Sequence, residues 1–212
     1  EFHQREVAVK RIKPEVLDDP IDGPLFARFF AAEAALVGRL KHPHVVQIFD
    51  AITQGPERYI AMEYVPGSTL RQLEDASLEQ RRQVPVGAAV GMAVQACRGA
   101  HAAHELRDTG NRPLGLVHRD ISPHNLMVTS EGNVKLLDFG IAKATENIEH
   151  TATGTLKGKY CYMSPEQCNH QPLDRRSDVF ALGILLWELL AGTRLFKRES
   201  ELASMQAIVQ ED

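Results

Sequence analysis

Cysteine is scarce in this chain: Cys97, Cys161 and Cys168 are odd in number and form no CxxC pair. Neither a disulfide framework nor a zinc site is indicated. A reducing cytoplasm is the simplest compartment for such usage, while a longer protein remains free to be membrane-anchored through other segments. Long apolar runs are lacking too. The longest, "VFALGILLWELLAG", holds a Glu and falls short of the roughly 20 residues a membrane span needs, so no membrane contact is expected from this segment. No charged start followed by an apolar run reads as a signal peptide. An excess of positive charge is absent, the formal net charge being -4, and nucleic acid is not an expected partner. Nor is there a GxxxxGK[ST] loop, which disfavours nucleotide hydrolases built on one. The chain opens without Met at "EFHQREVAVK" and reads as a fragment.

What is present is ordinary for a folded protein. Hydrophobic residues at 43% and charged residues at 25% argue against disorder, and 212 residues suffice for one ample core or two modest ones. "REVAVKRI" alternates as a strand, with Ala8, Lys10 and Ile12 sharing a face. "KPEVLDDPIDGP" breaks that pattern before "LFARFFAAEAALVGRL", which has helical spacing. "HVVQIFDAIT" and "RYIAMEYV" read as strands joined across "QGPE". Beyond "PGSTL" the pattern turns helical, and "VPVGAAVGMAVQACRGAHAAHEL" predicts a long helix. Short strands "NLMVT" and "NVKLLDF" flank the turn "SEGN", and a Thr- and Gly-bearing loop spans roughly 144 to 163. "SDVFALGILLWELLAG" is an apolar helix that Ser177 can cap and Gly192 can end. The pattern is a small sheet-rich lobe followed by a larger helical one, with a ligand expected at the seam near Glu63 to Gly67.

The chemistry-bearing residues fall in four pieces. Phosphoryl transfer needs a fixed cation near the phosphates, oxygen ligands for Mg²⁺ and a carboxylate aligning the incoming hydroxyl. Lys10 of "VAVK" supplies an ammonium on a strand, and Glu33 on the next helix can anchor it. In "LVHRDISPHNLMV", Asp120 can accept a hydroxyl proton and Asn125 can offer a neutral oxygen to a metal. "LLDFG" supplies Asp138 straight after an apolar strand, with Gly140 permitting a sharp turn. With VAVK (7–10), HRDISPHN (118–125), DFG (138–140), SPE (164–166) and DVFALGILLWE (178–188) in this order, the chain resembles the eukaryotic-like protein kinase family. Within it, "HPHVVQIFDA", the insertion before HRD and "YMSPEQ" resemble bacterial Ser/Thr kinases more than animal ones.

That resemblance implies an α+β, two-lobed kinase-like fold, with a small lobe over 1–64 and a larger lobe over 65–212. It implies ATP with Mg²⁺ (or Mn²⁺), and a protein substrate presenting a Ser or Thr hydroxyl, the chain itself included. Met62 matches the gatekeeper, Glu63, Tyr64 and Val65 the hinge, and Ala8 and Met127 the residues on the two faces of adenine. Val37, Ile48, Phe139 and His118 match the apolar column of active kinases, anchored by Asp178. Thr155 matches the activating phosphosite, which Arg119 and Lys143 can pair by charge-assisted bonds; Thr151 and Thr153 are weaker candidates.

Three departures matter. The loop Lys usual two positions after the Asp is Ser122, losing a cation worth several kcal/mol in a dry site. The Thr usual just after the loop Gly is Lys159, so an exchange is expected, Lys159 supplying the ammonium and Ser122 the hydroxyl. The Gly-rich loop falls before residue 1 and the last helices after residue 212, taking the Arg partner of Glu166 with them. An unpaired buried Glu166 and weak turnover are therefore expected of these residues.

Blander readings compete at single residues. His101 and His104 lack a third ligand and read as a packed or solvated pair rather than a metal site. His42 and His44 read as loop-fixing, Cys161 as an inert thiol, Trp187 as core, and Arg175 and Arg176 as a solvated helix start. Two functions remain: a Mg·ATP-dependent Ser/Thr protein kinase, and a pseudokinase-like binding module favoured by Ser122.

Overall fold

The structure, a computed structural model, describes residues 5–20, 23–140 and 159–211. Its first sheet is antiparallel in the order β1 (Val7–Arg11), β3 (Glu57–Glu63), β2 (Ile48–Gln54). Alternation on β1 works as expected: Val7 and Val9 face out at 43% and 60% exposure, while Ala8 and Lys10 face in. The register sets Ala8 opposite Met62 and Lys10 opposite Ile60, which is fully buried. The Pro-rich break holds a one-turn helix, α1 (Pro14–Leu17), with Pro14 at the first position where its missing N–H costs nothing. Then α2 (Gly23–Val37) lays Glu33, Ala34 and Val37 along its buried face. "HVV" is not a strand as the pattern implies; β2 starts only at Ile48, and Val45 makes a lone parallel bridge to Leu136.

The helical lobe carries a second sheet, β4 (Gly67–Thr69), β5 (Leu126–Thr129) and β6 (Val134–Leu136). Thr69 and Gln72 form a capping box that starts α3 (Leu70–Glu79). The long helix α4 (Val86–His104) buries Ala89, Ala93, Ala96, Ala100 and Ala103, spaced to form one face. Part of that face packs with Leu182, Leu185 and Leu189 of α6 (Arg175–Ala191) in the largest core cluster. Small residues on α4 let its backbone come close to the segment before β2. At Gly99 an added Cβ would lie 2.5 Å from the His44 carbonyl oxygen, which itself accepts the Leu136 N–H at 3.0 Å. Gly99→Ala is therefore expected to destabilise by about 1–3 kcal/mol despite better helix propensity. Gly91→Ala, with nothing within 4 Å of its added Cβ, should instead stabilise by a few tenths to about 1 kcal/mol. Thermal denaturation of both reads the opposite signs.

Two expectations about α6 are corrected. Its cap is Asp174, whose side chain accepts from Arg176 N, and Ser177 lies inside the helix; Gly192, at φ 68°, does end it. Trp187 is 42% exposed and not core, because apolar residues occupy almost every turn of α6 and neighbouring elements cover only part of it. After the short helix α5 (Pro165–Cys168), the described chain ends with α7 (Glu201–Gln210). Among described residues no helix is long and apolar enough to cross a membrane.

Candidate active site

Three charged side chains meet where β1, α2 and the stretch after β6 converge. Lys10 Nζ donates to Asp138 Oδ1 at 3.0 Å and to Glu33 Oε1 at 3.3 Å. Burial pushes the Glu33 carboxyl up to about 7 against the pull of Lys10, with Asp138 and Asp120 adding to the rise. Burial also works against the Lys10 ammonium, but Asp138 and Glu33 outweigh it and raise its pKa, so the cation is kept. Val37, Ile48, Ile60, Met62 and Leu136 line the same recess. Asp138 holds its exposed carboxylate from a left-handed backbone, φ 39°, strain that surrounding contacts must maintain.

The loop 118–125 is lashed down from three directions. Asp178 on α6, 1% exposed, accepts His118 N at 2.8 Å, Arg119 N at 2.9 Å and His104 Nε2 at 2.7 Å. Burial alone would raise its carboxyl, yet the His104 bond and the two backbone amides help bring it below the ordinary range. His118 packs against Phe139 with ring centroids 4.5 Å apart and ring planes tilted by 36°, and burial lowers its pKa. A neutral ring fits the bonding: Nε2–H donates to the Leu137 carbonyl at 2.8 Å while Nδ1 accepts Asp120 N at 3.3 Å. Gly140 N donates to the His118 carbonyl at 2.8 Å, and an added Cβ there would sit 3.2 Å from Asp120 Cβ. The 3-10 turn Pro123–Asn125 brings Asn125 Nδ2 to 2.7 Å from Asp120 Oδ2 and 2.8 Å from its carbonyl. The carboxamide nitrogen is spent on the carboxylate, and its oxygen is the atom that can meet a cation.

These pieces are joined in the order that the protein kinase domain family shares, and that family matches residues 2–212. The chain belongs to the protein kinase family. It is 42% identical over 207 residues to the tyrosine-protein kinase MasK of Myxococcus xanthus, covering 98% of this chain and 31% of that protein. A probable serine/threonine-protein kinase of Clostridium acetobutylicum is 36% identical over 188 residues, 89% of this chain and 26% of its own length. The chain thus spans less than half the length of these curated relatives. Among solved structures, the PknI kinase domain of Mycobacterium tuberculosis superposes with a TM-score of 0.65 at 26% identity, covering 88% of this chain and 65% of that one.

Protein kinases use ATP and a divalent metal and act on protein substrates. The donor chemistry fits such a metal: the Asp138 carboxylate and Asn125 carboxamide are both oxygen ligands, as a hard cation with phosphate partners requires. Among described residues no cluster of His, Cys, Asp and Glu forms a self-sufficient metal site; His101 is exposed and His104 is paired to Asp178. His42 and His44 do fix their loop, His44 N bonding His42 Nδ1 at 3.2 Å.

Of the remaining kinase residues, Val37 and Phe139 share one buried cluster, with Ile48 packed against it. Met62 lines the recess beside Lys10. Glu63 N is spent on the Gln47 carbonyl at 2.8 Å, and its carboxylate pairs Lys135 at 2.8 Å. Val65 is buried, and Met127 lies half-buried on β5 opposite Thr69 and Lys135. Thr151, Thr153, Thr155 and Lys143 lie outside the described residues, as does the side chain of Lys159, whose backbone opens the 3-10 turn Lys159–Tyr162.

Two site expectations change. Ser122, 1% exposed, makes no hydrogen bond through Oγ among the described residues, so the hydroxyl that the exchange assigns to it engages none of them. Its extended backbone, φ -160° and ψ 163°, opens the 3-10 turn and leaves the hydroxyl in the interior. Glu166 is not an orphan: Ser177 Oγ donates to it at 2.6 Å, the carboxylate is half-buried, and its pKa is lowered.

Sequence reasoning missed His104, Gln167 and a buried acid, Glu188. Tyr162 OH donates to Glu188 at 2.6 Å, Arg194 at 3.0 Å and Leu195 N at 3.0 Å. Burial pushes Glu188 to about 7, and Glu74 across the cluster likewise. A carboxyl whose folded pKa exceeds its unfolded value near 4.5 takes up a proton on folding between the two. Its contribution favours the fold fully below 4.5 and is lost as pH rises through about 7. Glu188→Gln removes one such proton uptake. The stability of the parent minus that of the variant should therefore fall from pH 6 to pH 8, by on the order of 1 kcal/mol. Paired denaturant titrations at the two pH values check it.

Proposed function

We propose that the chain is the catalytic domain of a protein kinase that uses ATP with Mg²⁺, or Mn²⁺, to phosphorylate Ser and Thr hydroxyls of proteins, itself included. Asp120 is the base that accepts the hydroxyl proton, positioned by Asn125. Lys10, held by Glu33, neutralises phosphate oxygens, and Asp138 with Asn125 holds the metal. ATP with its metal supplies the phosphoryl group. Ala8 and Met127 flank the adenine, and Met62, Glu63 and Val65 line its edge. The small lobe takes residues 1–64 and the larger 65–212. Arg119 and Lys143 pair a phosphate on Thr155. Lys159 supplies the cation that Ser122 does not.

The observation that supports this reading best is one continuous set of contacts. Lys10 bonds Asp138 at 3.0 Å, Gly140 N bonds the His118 carbonyl at 2.8 Å, and Asn125 bonds Asp120 at 2.7 Å. The side chains proposed as phosphate cation, metal ligands and base are thus linked by short contacts, an arrangement suited to phosphoryl transfer. The second reading, a pseudokinase-like module with little turnover, rests on the buried Ser122 hydroxyl where the family carries an ammonium.

Autophosphorylation of the full-length protein with labelled ATP and Mg²⁺, followed by mass mapping, separates them. Label on Thr155 is the expected result. Label on tyrosine alone would overturn the Ser/Thr preference, and the relative named a tyrosine-protein kinase gives that outcome weight. No label despite measurable nucleotide binding would establish the second reading. Lys159→Ala should cost far more activity than Lys197→Ala at an exposed site; equal losses would remove Lys159 from the mechanism.

A further inference from the structure

We propose that Gln167 is a positioning residue that locks the peptide between Arg119 and Asp120 and so aims the base; the inference rests on the kinase reading. Arg119 sits at φ 66°, a left-handed conformation that a residue other than Gly holds only where its surroundings over-determine it. Both of its backbone polar groups are taken by side chains. Its N–H donates to Asp178 at 2.9 Å, and its carbonyl accepts Gln167 Nε2 at 3.0 Å.

Gln167 uses both ends of its carboxamide. Oε1 accepts Ser164 N at 3.0 Å in the capping box that starts α5, while Nε2 reaches the catalytic loop 48 residues away in sequence. The Arg119 carbonyl belongs to the peptide whose nitrogen is that of Asp120, and that N–H is held by His118 Nδ1 at 3.3 Å. The peptide plane is thereby pinned at both polar ends. Turning it would redirect the Asp120 carboxylate, and misplacement of a catalytic group by about 1 Å can cost on the order of 100-fold. Gln167, Tyr162 and Asp120 line one recess, so the clamp also ties the base to the segment that ends in SPE.

Gln167→Glu separates the two ends of this side chain. A carboxylate still accepts from Ser164 N but cannot donate to the Arg119 carbonyl, and regains a donor only when protonated. Gln167→Ala removes both bonds. In the full-length protein, Gln167→Glu should lower kcat about 10- to 100-fold at pH 8 with the ATP KM within roughly twofold of the parent. The variant-to-parent ratio of kcat should climb as pH falls towards 5.5. A ratio near one, a loss confined to the ATP KM, or equal pH-independent losses in both variants would reduce Gln167 to a helix cap and overturn the proposal. If the parent itself transfers no phosphate, the kinase reading fails, and amide hydrogen exchange of residues 118–121 decides the clamp. Faster exchange in Gln167→Glu than in the parent supports it; equal exchange overturns it.

Discussion

Asp120→Asn is expected to lower phosphoryl transfer by about 10³-fold, within the 10²–10⁴ that a positioned base contributes. The substitution is nearly isosteric, so the loop should persist: its anchors are the Asp178 bonds to His118 N and Arg119 N, neither of which uses the Asp120 side chain. Asn125 Nδ2 also keeps its 2.8 Å bond to the residue 120 carbonyl. What disappears is the proton acceptor. The variant should therefore bind nucleotide within about twofold of the parent while losing kcat, because an interaction made only in the transition state is removed. Single-turnover kinetics beside a fluorescent-nucleotide titration measures both. Activity within a few-fold of the parent would exclude Asp120 as the base.

The largest effect on stability is expected from Asp178→Ala. Three donors converge on this carboxylate in a site 1% exposed. Deleting it leaves two backbone N–H groups and the His104 ring without an acceptor, and a buried donor left unpaired costs its full desolvation penalty. Breaking such a buried charged centre is worth roughly 3–5 kcal/mol, or about 6–20 °C in Tm for a chain of this size. His104→Gln, which removes one of the three bonds, should cost only about 1–2 kcal/mol. Chemical denaturation with both variants tests the ranking. If His104→Gln were the more damaging, the histidine and not the aspartate would be the centre of the knot.

The placement of the candidate site residues was legible because each depends on local order. Alternation in "VAVK" is enough to put Lys10 on the inward face of a strand, and the 3.6-residue period puts Glu33 on the stripe of Ala34 and Val37. The Gly55 turn and the Gly192 end of α6 were similarly visible, since a left-handed φ favours Gly. Legibility failed where a residue's environment comes from distant chain. Ser177 looked like a cap because Ser commonly caps, yet Asp174 took that place and freed Ser177 to hold Glu166. Trp187 looked like core because apolar residues occupy almost every turn of the helix; which side is covered depends on elements far away in sequence.

Residue type and spacing by themselves determined the strand-then-helix order, which follows from periodicities of two and 3.6 residues; the ordered motifs carried the resemblance to the protein kinase family and, with it, the candidate ammonium, base and metal ligands. Only the tertiary structure decided that His104 binds Asp178, 74 positions away, that Gln167 reaches the Arg119 carbonyl, and that the Ser122 hydroxyl is enclosed without a bond among the described residues. Hydrogen bonds between distant segments leave no periodic trace, because the chain between their ends sets no rule for which donor meets which acceptor.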